Sequence, residues 1–250
     1  TGAYTSAYGN DPSFTFAFYD ALSGGNQVSL VSADYTLSSL TWTGAPSRTS
    51  NANSYSITYG SGLSVTNGSY ALVGAGSATN WTVSQRPITV QAANQSRVYG
   101  NANPSIGAVS ITSGSLANSD ALGTASVSST ANNTTAAGQT AALTPSSQAF
   151  TTGTSSNYTV TYTDGLLSIT PRPITVQASN QSRVYGDANP STGAVSLTSG
   201  SLANSDALGT ANMSSTATST TAAGQTAALT PSGQAFTCPS QSSTIGLPKR

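Results

Sequence analysis

Residues 87–150 return almost unchanged at 173–236: the offset is 86 residues, and 55 of the 64 positions are identical. A fixed period of this size marks a tandem array. A diverged copy leads the chain. Its Tyr8-Gly9-Asn10-Asp11-Pro12 reads against Tyr99-Gly100-Asn101-Ala102-Asn103-Pro104 with one residue deleted. Near its end, Asn80-Trp81-Thr82-Val83 reads against Asn157-Tyr158-Thr159-Val160, and Arg86-Pro87-Ile88-Thr89-Val90 against Arg172-Pro173-Ile174-Thr175-Val176. A unit of 86 residues is large enough for a small core of its own, although a marginal one. The sequence therefore predicts separate small domains rather than a solenoid. They are a diverged unit at 1–86 lacking its first strand, a complete unit at 87–172, a unit at 173–236 lacking its last hairpin, and a non-repeat tail at 237–250. Such a chain reads as a piece of a longer array, or as one whose frame changes after Phe236.

Within one repeat the apolar residues alternate with period two. Ile88-Thr89-Val90, Ala108 to Thr112, Ala125 to Ser129 and Ala141 to Thr144 read as strands. Gly100 to Pro104 gathers turn formers. Tyr158 to Tyr162, then Thr163-Asp164-Gly165, then Leu166 to Thr170, reads as a β-hairpin, because Asp and Gly accept the positive φ of a tight turn. Ser115 to Gly123 reads as one helical turn closed by glycine. The expected class is mostly β, with little helix. Without its hairpin, the unit at 173–236 is expected to expose an unpaired strand edge and to be weakly stable.

Composition narrows the function. Charged residues make up 6% of the chain, against about 25% in average proteins. There is no His and no Glu, so a His-based triad, a His-ligated zinc site and a Glu acid/base pair are all excluded. A net charge of zero with scattered Arg leaves no basic footprint for nucleic acid. The apolar runs fall far short of the ~20 residues of a membrane-spanning helix. Ser and Thr number 82, and many Thr alternate with Val, Ile and Tyr, which suits a hydroxyl-rich β surface better than a linker.

The motifs Gln95-Ser96-Arg97-Val98-Tyr99-Gly100 and Asn157 to Ile169, with the Arg-Pro-Ile-Thr-Val junction, resemble the MBG/YDG repeat family. The resemblance covers nearly all of 1–236. It implies tandem small β domains, described as β-grasp-like, in an elongated array. It also implies an extracellular or outer-surface location on bacteria, in large secreted adhesins of the filamentous-haemagglutinin, two-partner-secretion kind. The first unit departs from the family by lacking the Asp-Gly turn.

No residue stands out as catalytic, cofactor-binding or metal-ligating, and no cofactor is expected. Asp120 and Asp206 are lone carboxylates in Ser-Asp-Ala-Leu, placed to cap a turn. Asn10, Asp11, Asn101, Asp187 and Asp164 sit in turns, too sparse for the several acidic oxygens of a calcium site. Arg97 and Arg183 precede Val-Tyr-Gly, where a stem packed beside tyrosine is expected rather than an anion site. Cys238 is the only thiol.

Eight Asn-x-Ser/Thr sequons occur, at Asn67, Asn80, Asn94, Asn132, Asn133, Asn157, Asn180 and Asn212, where 17 Asn give about six by chance. Unit one holds 12 of the 18 aromatics, and Phe14, Phe16 and Phe18 fall on one strand face, expected to be core. The functional expectation is a structural stalk or spacer of an adhesin. The alternative is a glycan- or host-protein-binding module acting through the aromatic first unit. Partners would be host glycans or surface proteins held by other parts of a parent protein, with strand exchange between units.

Overall fold

The computed structural model describes residues 4–20, 25–72 and 79–239. It is nearly all β, as the alternation predicts. The leading repeat forms β1 (Tyr4–Ala7), β2 (Phe18–Tyr19), β3 (Gln27–Val28), β4 (Tyr35–Thr43), β5 (Asn53–Val65) and β6 (Thr79–Ser84). The middle repeat forms β7 (Arg86–Ala92), β8 (Gln95–Val98), β9 (Ile106–Gly107), β10 (Val109–Ser113), β11 (Ala121–Leu122), β12 (Ala125–Ser128), β13 (Thr140–Ser146), β14 (Phe150–Thr152), β15 (Tyr158–Thr163) and β16 (Gly165–Thr170). The last repeat forms β17 (Thr175–Ala178), β18 (Thr192–Ser199), β19 (Ala207–Leu208), β20 (Thr210–Ser215), β21 (Leu229–Ser232) and β22 (Phe236–Thr237). A 3₁₀ turn at Ser155–Asn157 precedes β15.

The compact units do not follow the repeats. The first comprises Thr1–Ala92, Ala108–Ser126 and Pro145–Thr163; the second comprises Ala93–Gly107, Val127–Thr144 and Asp164–Arg250. The first unit holds the sheet β1-β6-β5-β4 of the leading repeat and the sheet β10-β7-β15 of the middle one. The second is built round β8-β16-β13-β12-β9 of the middle repeat and β17-β18-β20-β21 of the last. In each unit a sheet of one repeat is thus grouped with a sheet of the next.

The core of the first unit shows why. Tyr8, Ile57, Trp81 and Val83 from one repeat pack with Ile88, Val90 and Tyr158 from the following one. Each such buried side chain contributes about 1.5–3 kcal/mol. The apolar faces of the two sheets cover each other in this one core.

Two expectations about strands are corrected. The segments at Tyr158 to Tyr162 and Leu166 to Thr170 do not form a hairpin. β15 runs parallel to β7 with Val160 opposite Ile88, whereas β16 runs parallel to β8 and antiparallel to β13. Gly165 is already the first residue of β16, and neither it nor Asp164 has a positive φ, so the chain passes from one sheet to another without the tight turn. Parallel addition buries Tyr158, Leu167 and Ile169, each at most 3% exposed, which a two-stranded hairpin would leave in water.

The second correction concerns β6, which takes the place of β16 rather than that of β15. Tyr4 to Ala7 lie parallel to Trp81 to Ser84 just as Gln95 to Val98 lie parallel to Leu167 to Thr170. Trp81 and Val83 therefore fill the core positions of Leu167 and Ile169.

Nor does Ser115 to Gly123 form a helical turn. Asn118 and Ser119 both adopt left-handed φ, 52° and 64°, and a right-handed helix cannot continue through them. The same pair recurs at Asn204 and Ser205, 53° and 63°.

Candidate functional site: the repeat junction

The signature turn and the junction arginine meet inside each compact unit. In the first, Tyr8 closes onto β6 through its amide, which donates to the Ser84 carbonyl at 2.9 Å, and Gly9 follows at φ 87°. Arg86, the last residue of the leading repeat, bonds both sides of the repeat boundary. Its guanidinium donates to the Tyr8 carbonyl and Asn10 Oδ1, both at 3.2 Å, to the Ser115 carbonyl at 2.8 Å and to Ser115 Oγ at 2.9 Å.

The second unit repeats the arrangement. The Tyr99 amide donates to the Thr170 carbonyl at 2.9 Å, and Arg172 donates to the Tyr99 carbonyl at 2.9 Å, to Asn101 Oδ1 at 2.7 Å and to Ser201 Oγ at 3.3 Å. Glycine is required after the tyrosine. Besides the positive φ, a Cβ on Gly9 would stand 2.2 Å from the Ala117 methyl, and one on Gly100 2.3 Å from that of Ala203.

Asp120 is not a turn cap, as its sequence context suggested. Its Oδ2 accepts from the Tyr8 hydroxyl at 3.0 Å and the Tyr158 hydroxyl at 2.7 Å, so one carboxylate joins the tyrosines of two successive repeats. The rings meet edge to face, with centroids 5.5 Å apart, and Phe150 stacks on Tyr158 at 5.1 Å. The Tyr158 oxygen also accepts from the Ala117 amide at 3.0 Å. Burial, with the neighbouring Asp120 charge, pushes the Tyr158 hydroxyl up to about 12. Sequence reading missed this cluster because Tyr8 and Asp120 are 112 positions apart.

The guanidinium groups of Arg97 and Arg183 staple loops together. Arg97 is 6% exposed and donates to Asn103 Oδ1 at 2.7 Å and to the Asn132 carbonyl, while Asn103 Nδ2 donates to the Ala131 carbonyl at 2.5 Å. Arg183 bonds Asn189 at 2.8 Å and the Thr218 carbonyl in the same way. The guanidinium fork thus ties two loops together through several acceptors at once.

The aromatics of the first repeat are largely spent on packing. Phe14 lies 4.8 Å from Trp81 and 5.5 Å from Trp42, and Phe16 and Phe18 pack on Tyr35. Of the three phenylalanines only Phe18 lies in a strand, and all are half-buried rather than fully core. The cavity bounded by Tyr4, Phe14, Trp42 and Ile57 measures about 50 Å³, below the ~300 Å³ of small-ligand pockets.

Asn157 is 1% exposed. Its amide donates to Asn51 Oδ1 at 2.9 Å and its oxygen accepts from the Ala52 amide at 2.8 Å, so this sequon is closed to a glycan in the folded chain. Asn67 donates to Asp34 at 2.7 Å, a bond that holds the Asp34 carboxyl below its ordinary range. Asp11, Asp164 and Asp187 are exposed, and among the described residues no three acidic, Cys or His side chains gather to hold a metal.

The family model described as "MBG domain (YGX type)" matches residues 88–168 and 174–236, more than half of the chain. The chain belongs to the MBG domain family of the YGX type. No curated protein and no solved structure matches it. The family is one of repeat modules rather than of enzymes. In this MBG chain the Tyr-Gly turn locks one repeat onto the next, and its Gly is the residue that lets Ala117 or Ala203 approach.

Proposed function

We propose that the MBG repeats of this chain serve as structural spacer modules of a secreted or surface-anchored bacterial adhesin. The observation that carries this reading is the junction. The residues that give the repeat its signature are committed to the following repeat: Gly9 and Gly100 admit Ala117 and Ala203, and Arg86 and Arg172 bond Ser115 and Ser201. A module that spends its signature on its neighbour is built to be concatenated. The Ser/Thr-rich surface stays soluble with little charge and offers few of the Trp, Tyr and Arg anchors that dominate binding interfaces.

The test is to delete one 86-residue period from the parent protein and assay adhesion to cells and to a glycan array. The spacer reading expects reach-dependent loss with ligand specificity unchanged. Binding of a defined glycan or host protein by this chain alone, at micromolar affinity, would replace it with a binding module.

A further inference from the structure

In the first unit, Tyr158 sits among Tyr8, Arg86, Ala117, Asp120 and Phe150. Their counterparts in the second unit are Tyr99, Arg172, Ala203, Asp206 and Phe236. These line a cavity of about 340 Å³. The position 86 residues after Tyr158 is Thr244, and the segment around it, Ser243-Thr244-Ile245-Gly246-Leu247-Pro248, shares neither the tyrosines nor the alternation of Asn157 to Thr163.

β17 pairs with β18 in the register that β7 keeps with β10, including the same irregularity, with Ser199 opposite Thr175 as Ser113 is opposite Thr89. Among the described residues no strand lies on the other edge of β17, where β7 carries β15. Identical residues register the loss. Ile88, Val90 and Ala92 are buried, whereas Ile174, Val176 and Ala178 are only half-buried, and Phe236 is 48% exposed where Phe150 stacks. Among the described residues, the Tyr99 hydroxyl and Asp206 Oδ1 are buried and meet no hydrogen-bond partner. Cys238 lines the same cavity.

We propose that the edge of β17 is a strand-acceptor site. Its occupant is an extended segment of the Asn-Tyr-Thr-Val-Thr-Tyr type supplied in trans by another repeat. It adds parallel to β17 and seats its first tyrosine between Tyr99 and Phe236, with the hydroxyl on Asp206. Main-chain bonds to an exposed edge supply affinity, and the tyrosine pocket supplies register and choice. A strand lacking that tyrosine leaves the buried Asp206 carboxylate without this donor, which is the source of discrimination.

The probe is a fluorescently labelled synthetic peptide spanning 156–164, titrated into the full chain and followed by anisotropy. Saturable one-to-one binding with a Kd below about 1 mM is expected, together with a higher unfolding midpoint for the liganded chain. The same peptide carrying Tyr158→Phe should bind at least about fivefold more weakly, a loss of one hydrogen bond to a charged acceptor. One carrying Val160→Pro should not bind. Asp206→Ala in the chain should erase the difference between the tyrosine and phenylalanine peptides. The peptide variants test the site even where that substitution compromises folding.

Three results would overturn the proposal. They are the absence of saturable binding up to about 1 mM, equal binding of the proline peptide, and binding that arises only once residues 240–250 are removed. The last would assign the edge to the chain's own tail.

Discussion

Gly100 and Tyr158 show how single residues carry the junction. Gly100→Ala must accommodate both a left-handed φ of 86° and a methyl aimed at Ala203, so a loss of about 1–3 kcal/mol in unfolding free energy is expected by urea titration. Gly138, also left-handed at φ 85° but with open space around the missing Cβ, is the control and should lose less.

For Tyr158 the hydroxyl stands at about 12 in the fold against an ordinary 10.0, so the folded state holds that proton more tightly than the unfolded chain. The resulting stability is complete below pH 10 and is lost as pH rises from 10 towards 12. Unfolding midpoints measured across that window should fall less steeply for Tyr158→Phe. At neutral pH the same variant should lose about 1–2 kcal/mol, because Asp120 keeps only one tyrosine donor. At this scale the sequence was partly legible. The Tyr-Gly turn is visible as a motif, but its target lies across a repeat boundary, and a lone Asp in Ser-Asp-Ala-Leu gives no local sign of two distant hydroxyls.

At the scale of elements, period-two alternation located β7, β10, β12, β13, β15 and β16 within a residue or two, because half-buried strands leave that imprint whatever their partner. Pairing was less legible. An Asp-Gly between two alternating runs is a local signal for a hairpin, and the competing parallel pairing of β15 with β7 involves residues some 70 positions apart, with no local trace. Val160→Pro separates the two topologies. It should remove hydrogen-exchange protection from β7 and β15 while the amides of β16, held by β8 and β13, stay protected. A real hairpin would lose protection in β16 as well. The helical reading of Ser115 to Gly123 failed for a similar reason: small polar residues at Asn118 and Ser119 tolerate left-handed backbone, and the chain uses them to deliver Asp120 to the tyrosines.

For the whole molecule, the period read from the sequence marks duplication, whereas the compact unit is set by which sheets cover each other. These differ by half a repeat. Ile88, Val90 and Tyr158 of the middle repeat are buried by Tyr8, Trp81 and Val83 of the leading one, so the apolar area that holds β7 comes from outside its own repeat. The most direct measurement is hydrogen exchange on residues 87–172 alone beside residues 1–172. In the longer chain the amides of Ile88, Val90 and Tyr158 should be strongly protected, and in the isolated repeat they should exchange at least about a hundredfold faster, since removing three large buried neighbours costs several kcal/mol. Equal protection of those amides in both chains would show that each 86-residue repeat folds by itself and would contradict the shared core.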